Sequence, residues 1–231
     1  MTRSARKIQD NLRKLVEKGK MADSDSYAMF SRIKFGDAMS ALSQCDIIIE
    51  CIIEDLEAKQ IALRSLEATA SEHTILASNT SSLPITAIAA QLRHPERVIG
   101  IHFFNPATLM KLVEIIPALQ TEPRVIEIAR QLVDSWGKKT VLCKDTPAFI
   151  VNRVARPFYG EAIRIQEEGI ADFSTIDWAM KTFGNFRMGP FELMDFIGHD
   201  INFRVTETVF REFFFDPRYK PSFTQRRLVD A

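Results

Sequence analysis

The sequence predicts an α/β fold, a doubly wound parallel sheet followed by a smaller all-helical domain. Three observations carry this. Short β-branched apolar runs alternate with helical stretches over residues 1–146. One of those runs, DIIIECII at 46–53, is apolar almost throughout, as suits a parallel strand covered on both faces. After Asp145, Thr146 and Pro147 the strand pattern stops and only helical periodicity remains, which sets a domain boundary near Pro147.

The elements follow in order. Residues 4–19 place Ile8, Leu12, Leu15 and Val16 on one face of an amphipathic surface helix. A polar break at 22–26 leads to a short strand expected at 31–35 and a helical turn at 37–42. The strand in 46–53 is followed by helix 56–70, strand 74–78, helix 84–92, strands 98–104 and 112–116, helix 123–136 and strand 140–143. Helices are then expected at 149–169, 174–183, 190–197, 199–215 and 224–229. The domains expected are therefore 1–146 and 147–231.

Composition narrows the function classes. Among 231 residues, 30 basic side chains balance 30 acidic ones, and 46% are hydrophobic, as in an ordinary soluble domain. A net charge of zero supplies no overall field for nucleic acid or an anionic membrane, so neither is an expected partner. A local basic patch for a phosphorylated ligand stays open. Cys45, Cys51 and Cys143 lack CxxC spacing and lie in or beside apolar runs, so buried reduced thiols are expected and no metal site is. No run approaches the ~18 apolar residues that would cross a bilayer. The basic N-terminal stretch carries acidic residues and no apolar core, unlike a signal or transit peptide, so a cytoplasmic protein is expected.

Two ionisable residues stand in apolar strands. His102 lies in VIGIHFF (98–104) and Glu114 in LVEII (112–116). A histidine so placed can be a satisfied core residue, but an isolated buried carboxylate is costly. Adjacent strands joined by the loop 105–111 would bring the two side by side. The pair would stabilise the imidazolium, orient one ring nitrogen and leave the other free, as in an oriented general base. The loop 79–84 (NTSSLP) carries three hydroxyls and an amide at the carboxyl end of a strand, where open α/β sheets bind ligands. It reads equally as a helix N-cap through Ser82 or its neighbours, with Pro84 in the first turn. Asn152 and Arg153, near the start of the first helix past the boundary, sit where a cleft is common and where a structural Asn is as common.

These stretches together resemble the 3-hydroxyacyl-CoA dehydrogenase family. The resemblance rests on ASNTSSLPIT (77–86), GIHFFNPATLMKLVEII (100–116), KDTPAFIVNR (144–153) and MGPFELMD (188–195), and spans essentially the whole chain. It implies NAD as cofactor, an acyl-CoA substrate, and oxidation of a (3S)-3-hydroxyacyl-CoA to the 3-oxoacyl-CoA. It further implies His102 as catalytic base, Glu114 as the carboxylate that orients it, and Ser81 and Asn152 as donors to the substrate oxygens around the reacting carbon, with Asn105 a weaker substrate contact. Glu54 and Lys59, in IECIIEDLEAK, match positions that line the NAD site with Ser81, and Lys18 matches a lysine near the CoA phosphates. A homodimer through the helical domain is implied as well.

The departures from the family are at its glycines and its opening. The nine glycines form no GxG, so the phosphate-cradling turn and the first βαβ unit are missing. The expectation is a partial Rossmann-type sheet in a chain truncated at its N-terminus and slightly at its C-terminus, with one strand edge unpaired and weak NAD binding. Ala148 stands where Gly is commoner, a tolerated change. Two other readings stay open: a two-domain dehydrogenase of small hydroxy acids, whose base is often a lysine of the helical domain, and a non-catalytic binding module of the same family.

Overall fold

In the computed structural model, which describes residues 3–231, five strands form one sheet in the order β1-β2-β3-β4-β5. They are β1 (Ile47–Glu50), β2 (Ile75–Ser78), β3 (Val98–Phe103), β4 (Leu112–Pro117) and β5 (Lys139–Leu142). The sheet is mixed rather than parallel throughout: β1, β2 and β3 run parallel, β3 and β4 antiparallel, β4 and β5 parallel. The short 105–111 connection can return only to an antiparallel neighbour, because a parallel return needs a long crossover.

Strand side chains alternate between two faces. Ile48, Leu76, Val98 and Ile116 join Leu63 and Leu66 of helix α3 (Leu56–Glu67) and Ile85, Ile88 and Ala89 of helix α4 (Ile85–Ala89) in one core. Ile75, Ala77, Ile99, Ile101, Val113 and Ile115 pack on Val125, Ala129 and Val133 of helix α5 (Pro123–Ser135) on the other. Gly100 permits the close approach of α4, since a Cβ there would lie 2.8 Å from Ile85 Cδ1 and 3.0 Å from Ile116 Cβ. An alanine would force the buried Ile85 out of place.

Before the sheet, α1 (Arg3–Glu17) and α2 (Asp23–Ser31) pack on each other, with Ala5 and Leu12 buried. After it come α6 (Val151–Glu167), α7 (Phe173–Thr182), α8 (Pro190–Ile197), α9 (His199–Glu212) and α10 (Phe223–Asp230). Tyr159, Ile163, Ile176, Phe191 and Met194 form their core. Asp177 fixes the α7–α8 corner by accepting from the Phe191 and Glu192 amides, both at 2.9 Å. Gly189 is required beside it, because a Cβ there would meet Asp177 at 2.3 Å.

Several expectations change. Residues 23–31 are helix α2, where a polar break at 22–26 was expected, and no strand forms at 31–35. A strand needs a neighbour, and among the described residues β1 pairs only with β2. The strand in 46–53 ends at Glu50, where its partner β2 ends at Ser78. The Glu50 carboxylate takes the Ile52 amide and turns the chain off the sheet, leaving Cys51, Ile52 and Ile53 exposed. Of the cysteines only Cys143 is buried; Cys45 is half-buried and Cys51 exposed. Lys18 lies in the turn after α1 rather than within it.

Candidate active site

His102 and Glu114 face each other directly across the β3–β4 pairing. The imidazole Nδ1 lies 2.7 Å from Glu114 Oε2, with His102 only 6% exposed and Glu114 fully buried. The other Glu114 oxygen accepts the Ile150 and Val151 amides, each at 2.9 Å. Those amides open α6, so the positive end of a helix adds to the donors around the carboxylate. Burial alone would push the Glu114 carboxyl up, but the hydrogen bond from His102 and the two amides outweigh it and hold it below the ordinary carboxylate range. An ionised Glu114 fixes the Nδ1–H tautomer. Nε2 makes no hydrogen bond among the described residues and is left as an acceptor. Phe104 and Phe149 flank the ring at 4.6 and 5.9 Å between centroids.

A second polar cluster occupies the same end of the sheet. Glu50 pairs in register with Ser78 and, like His102, projects on the α3–α4 face. Its Oε1 lies 2.8 Å from Lys59 Nζ and its Oε2 accepts from Ser78 Oγ at 2.6 Å. Lys59, 1% exposed, also reaches Glu54 Oε2 at 3.4 Å. Glu54 Oε1 gathers the loop after β2, accepting Thr80 Oγ1 at 2.7 Å, the Ser81 amide at 2.9 Å and hydroxyl at 3.2 Å, and the Ser82 amide at 3.2 Å and hydroxyl at 3.1 Å. Burial opposes ionisation of Glu54, and the Thr80, Ser81, Ser82 and Lys59 contacts outweigh it, so this carboxyl too is held low. Asn79 ties the loop to the His102 strand, its Oδ1 accepting the Phe103 amide at 2.9 Å.

The structure thus joins His102 to Glu114 and Glu54 to Lys59 and Ser81, on one rim of the sheet. Lys59 lies between the two carboxylates, with Glu50 at 2.8 Å and Glu54 at 3.4 Å. Asn152 stands in the first turn of α6, beside the amides that hold Glu114, and its side-chain amide makes no hydrogen bond among the described residues. Asn105 is exposed in the loop after β3. No contact brings Lys18 to the pair, since α1 packs chiefly on α2. Ser82 does not cap α4: that role falls to Asp145, which accepts the Ile85 and Thr86 amides at 2.9 and 2.7 Å, while Ser82 is spent on Glu54.

Two residues of the site have no place in the sequence reading. Glu50 carries the same signal as Glu114, a single charge in an apolar strand, and Asp145 gives none, because its partners lie about 60 residues away. Asn79 belongs to the loop singled out in the sequence, but its partner lies 24 residues away and gives no sequence signal. Among the described residues no group of His, Cys, Asp or Glu could hold a metal, and no helix is long and apolar enough to cross a membrane.

Known proteins share this arrangement of sheet, loop and helices. Residues 1–146 match the family described as 3-hydroxyacyl-CoA dehydrogenase, NAD binding domain, and residues 149–231 its C-terminal domain. The chain is 44% identical to the 3-hydroxyadipyl-CoA dehydrogenase of Escherichia coli, over 99% of this chain and 48% of that protein. It is 38% identical to the mitochondrial hydroxyacyl-coenzyme A dehydrogenase of Sus scrofa, over 99% of this chain and 75% of that one. It spans about half the length of the first relative and three quarters of the second. Among solved structures, a 3-hydroxybutyryl-CoA dehydrogenase from Escherichia coli superposes with a TM-score of 0.96 at 44% identity, covering 99% of this chain and 48% of that one. The (S)-3-hydroxybutyryl-CoA dehydrogenase of Ralstonia eutropha gives 0.92 at 37% identity, covering 96% and 78%. With both halves matched and relatives of this identity covered to three quarters of their length, the chain belongs to the 3-hydroxyacyl-CoA dehydrogenase family, enzymes that use NAD.

Proposed function

We propose that this chain oxidises a (3S)-3-hydroxyacyl-CoA to the 3-oxoacyl-CoA with the His102–Glu114 pair as its general base. One observation carries the reading: a buried imidazole held at Nδ1 by an ionised carboxylate 2.7 Å away, with Nε2 left unpartnered. The substrate hydroxyl donates to Nε2. The proton moves there as the C3–H bond breaks, and Glu114 stabilises the imidazolium that forms. NAD, when bound, accepts the hydride from C3. Asn152 positions the substrate oxygens from α6, and Ser81 does so from the loop that Glu54 gathers. Asn105 adds a weaker contact.

The residues present fit the nicotinamide end of such a cofactor. Glu54, exposed at the carboxyl end of β1, organises the hydroxyls of Ser81 and Ser82, and Ile52 and Ile53 beside it offer an uncovered apolar surface. Lys59 serves that site by holding Glu54. Lys18, exposed after α1, is available to the CoA phosphates. On this reading residues 1–146 serve the cofactor, and residues 147–231 complete the substrate site and form a homodimer. Phe183, Phe196, Phe214 and Phe223, each more than 70% exposed, supply apolar surface for that contact. The reading places the protein in the cytoplasm, in keeping with its composition.

The test is NADH formation from (3S)-3-hydroxybutyryl-CoA, followed by absorbance with the unaltered chain and with His102→Gln. Turnover that falls about 10²–10⁴-fold in the variant supports the base. Turnover that survives rejects it. Binding of the acyl-CoA with no NADH formed by the unaltered chain establishes the non-catalytic module instead.

A further inference from the structure

Within the helical region a buried cation lacks a counter-ion among the described residues. Arg156, on α6, is 6% exposed, and no carboxylate lies within ion-pairing distance of it among the described residues. Its guanidinium is held by neutral acceptors. Nε donates to the Asn152 carbonyl at 3.3 Å, and Nη1 to the Asn202 carbonyl and the Thr206 hydroxyl, both at 3.0 Å. The Tyr159 ring lies under it at 5.0 Å. Among the described residues Nη2 makes no hydrogen bond, nor does the Tyr159 hydroxyl, although Tyr159 is 3% exposed. Neither atom is sealed away, and both residues line one small cavity of about 20 Å³. Burial pulls the Arg156 guanidinium down to about 10, and only the neighbouring Tyr159 acts the other way.

The rest of the cavity matches a missing anion. Arg164, Ser222, Arg218 and Lys220 also line it, the exposed Arg218 and Lys220 at its mouth. Arg164 is paired with Glu161 and Arg218 with Asp216, whereas Lys220 has no acidic partner among the described residues. A buried cation satisfied only by neutral dipoles gains from a negative charge brought within hydrogen-bond reach. A carboxylate offers two acceptor oxygens to the two unused donors, Arg156 Nη2 and the Tyr159 hydroxyl.

We propose that Arg156 and Tyr159 form a receptor for a single carboxylate group, carried by a small organic acid and steered in by Lys220. The site is separate from the His102–Glu114 pair, none of whose residues line the cavity, and it stands whether or not the chain is a dehydrogenase.

The experiment measures the unfolding midpoint of the full 231-residue chain in sodium acetate and in sodium chloride at equal ionic strength. With acetate at a hundredfold excess over its Kd, the midpoint should rise by roughly 5–10 °C more than in chloride. Tyr159→Phe should lose at least half of that difference, and Arg156→Met all of it. If Arg156→Met fails to fold, Lys220→Gln decides. It lies on the exposed mouth, so the midpoint without acetate should not change while the acetate concentration for half effect rises severalfold. An equal response to acetate and chloride means the cavity holds water only and overturns the proposal. A response to acetate that both Tyr159→Phe and Lys220→Gln retain in full also overturns it.

Discussion

Two buried carboxylates lie on the same face and rim of the sheet, and they differ chiefly in their partners. Glu50 meets a lysine whose ammonium is enclosed by Glu50, Glu54 and the Ile52 carbonyl. Its own second oxygen is closed by Ser78. Glu114 meets a histidine that has two nitrogens and has used one. Both are single charges in apolar strands, and both have their carboxylate oxygens hydrogen-bonded. The first network is closed, so its role is to shape the loop that carries Ser81. The second leaves one acceptor open, so it can take a proton from something else. A buried charge therefore becomes chemical machinery when its partner keeps a site in reserve.

The largest effect should come from opening the closed network. Lys59→Met leaves Glu50 buried without its cation and should cost about 3–5 kcal/mol of stability, read from urea unfolding. The double variant Glu50→Gln, Lys59→Met should recover much of it, because no charge is then stranded. A single variant as stable as the parent would mean the two carboxylates are not mutually dependent on Lys59.

Next comes Glu114→Gln, which separates the two sites by activity. An amide in this position no longer favours the imidazolium, so kcat should fall by about 100-fold or more. Glu50→Gln should lower stability with a far smaller change in kcat in the molecules that remain folded. Equal losses of kcat would erase the distinction between the closed and the open network.

Acid titration sharpens the comparison further. The Glu114 carboxyl is held low in the folded chain, because the His102 and amide hydrogen bonds outweigh burial. The stability this supplies is complete above the unfolded value of about 4.3 and is lost as pH falls from there through the lower native value. For one group the slope is at most about 1.4 kcal/mol per pH unit. The stability gap between parent and Glu114→Gln should therefore be constant from pH 7 to 5 and shrink below that. A gap that stays constant down to pH 3 would show that the carboxyl is not held low.

Much of the His102–Glu114 pair was legible in the sequence because it depends on neighbours in one hairpin. A charge at 102 and another at 114, in strands joined by a short loop, can resolve their burial only by pairing. The alternation of strands and helices was legible for the same reason, since each element signals through its own periodicity. What could not be read depends on distant chain. Asp145 caps α4 from another strand's end, so Ser82 seemed the natural cap when its hydroxyl was in fact committed to Glu54. The strand expected at 31–35 had the residues of a strand and no neighbour to bond. The run at 46–53 looked buried to its end, but β2 stops opposite Glu50 and the last three residues leave the sheet.

The smallest effect concerns how the Glu114 site is assembled. Glu50 takes a neighbouring amide, Ile52, two residues along its own chain. Glu114 takes amides 36 and 37 residues away, and the turn that aims them carries two consecutive non-glycine residues at positive φ, Ala148 at 63° and Phe149 at 50°. The left-handed conformation costs an alanine roughly 1–2 kcal/mol. Ala148→Gly removes that strain but loses a buried methyl packed near Val209 and Tyr219, worth about 0.8 kcal/mol, and frees the unfolded chain. These terms nearly cancel, so thermal unfolding should move by less than about 1 kcal/mol in either direction. A loss of 2 kcal/mol or more would show that the methyl's packing, rather than backbone strain, governs this turn. Phe149 admits no such exchange, because its ring is part of the sheet core and stands beside the imidazole. The strain that remains there is what keeps two helix amides on Glu114, and with them the free nitrogen of His102 facing outward.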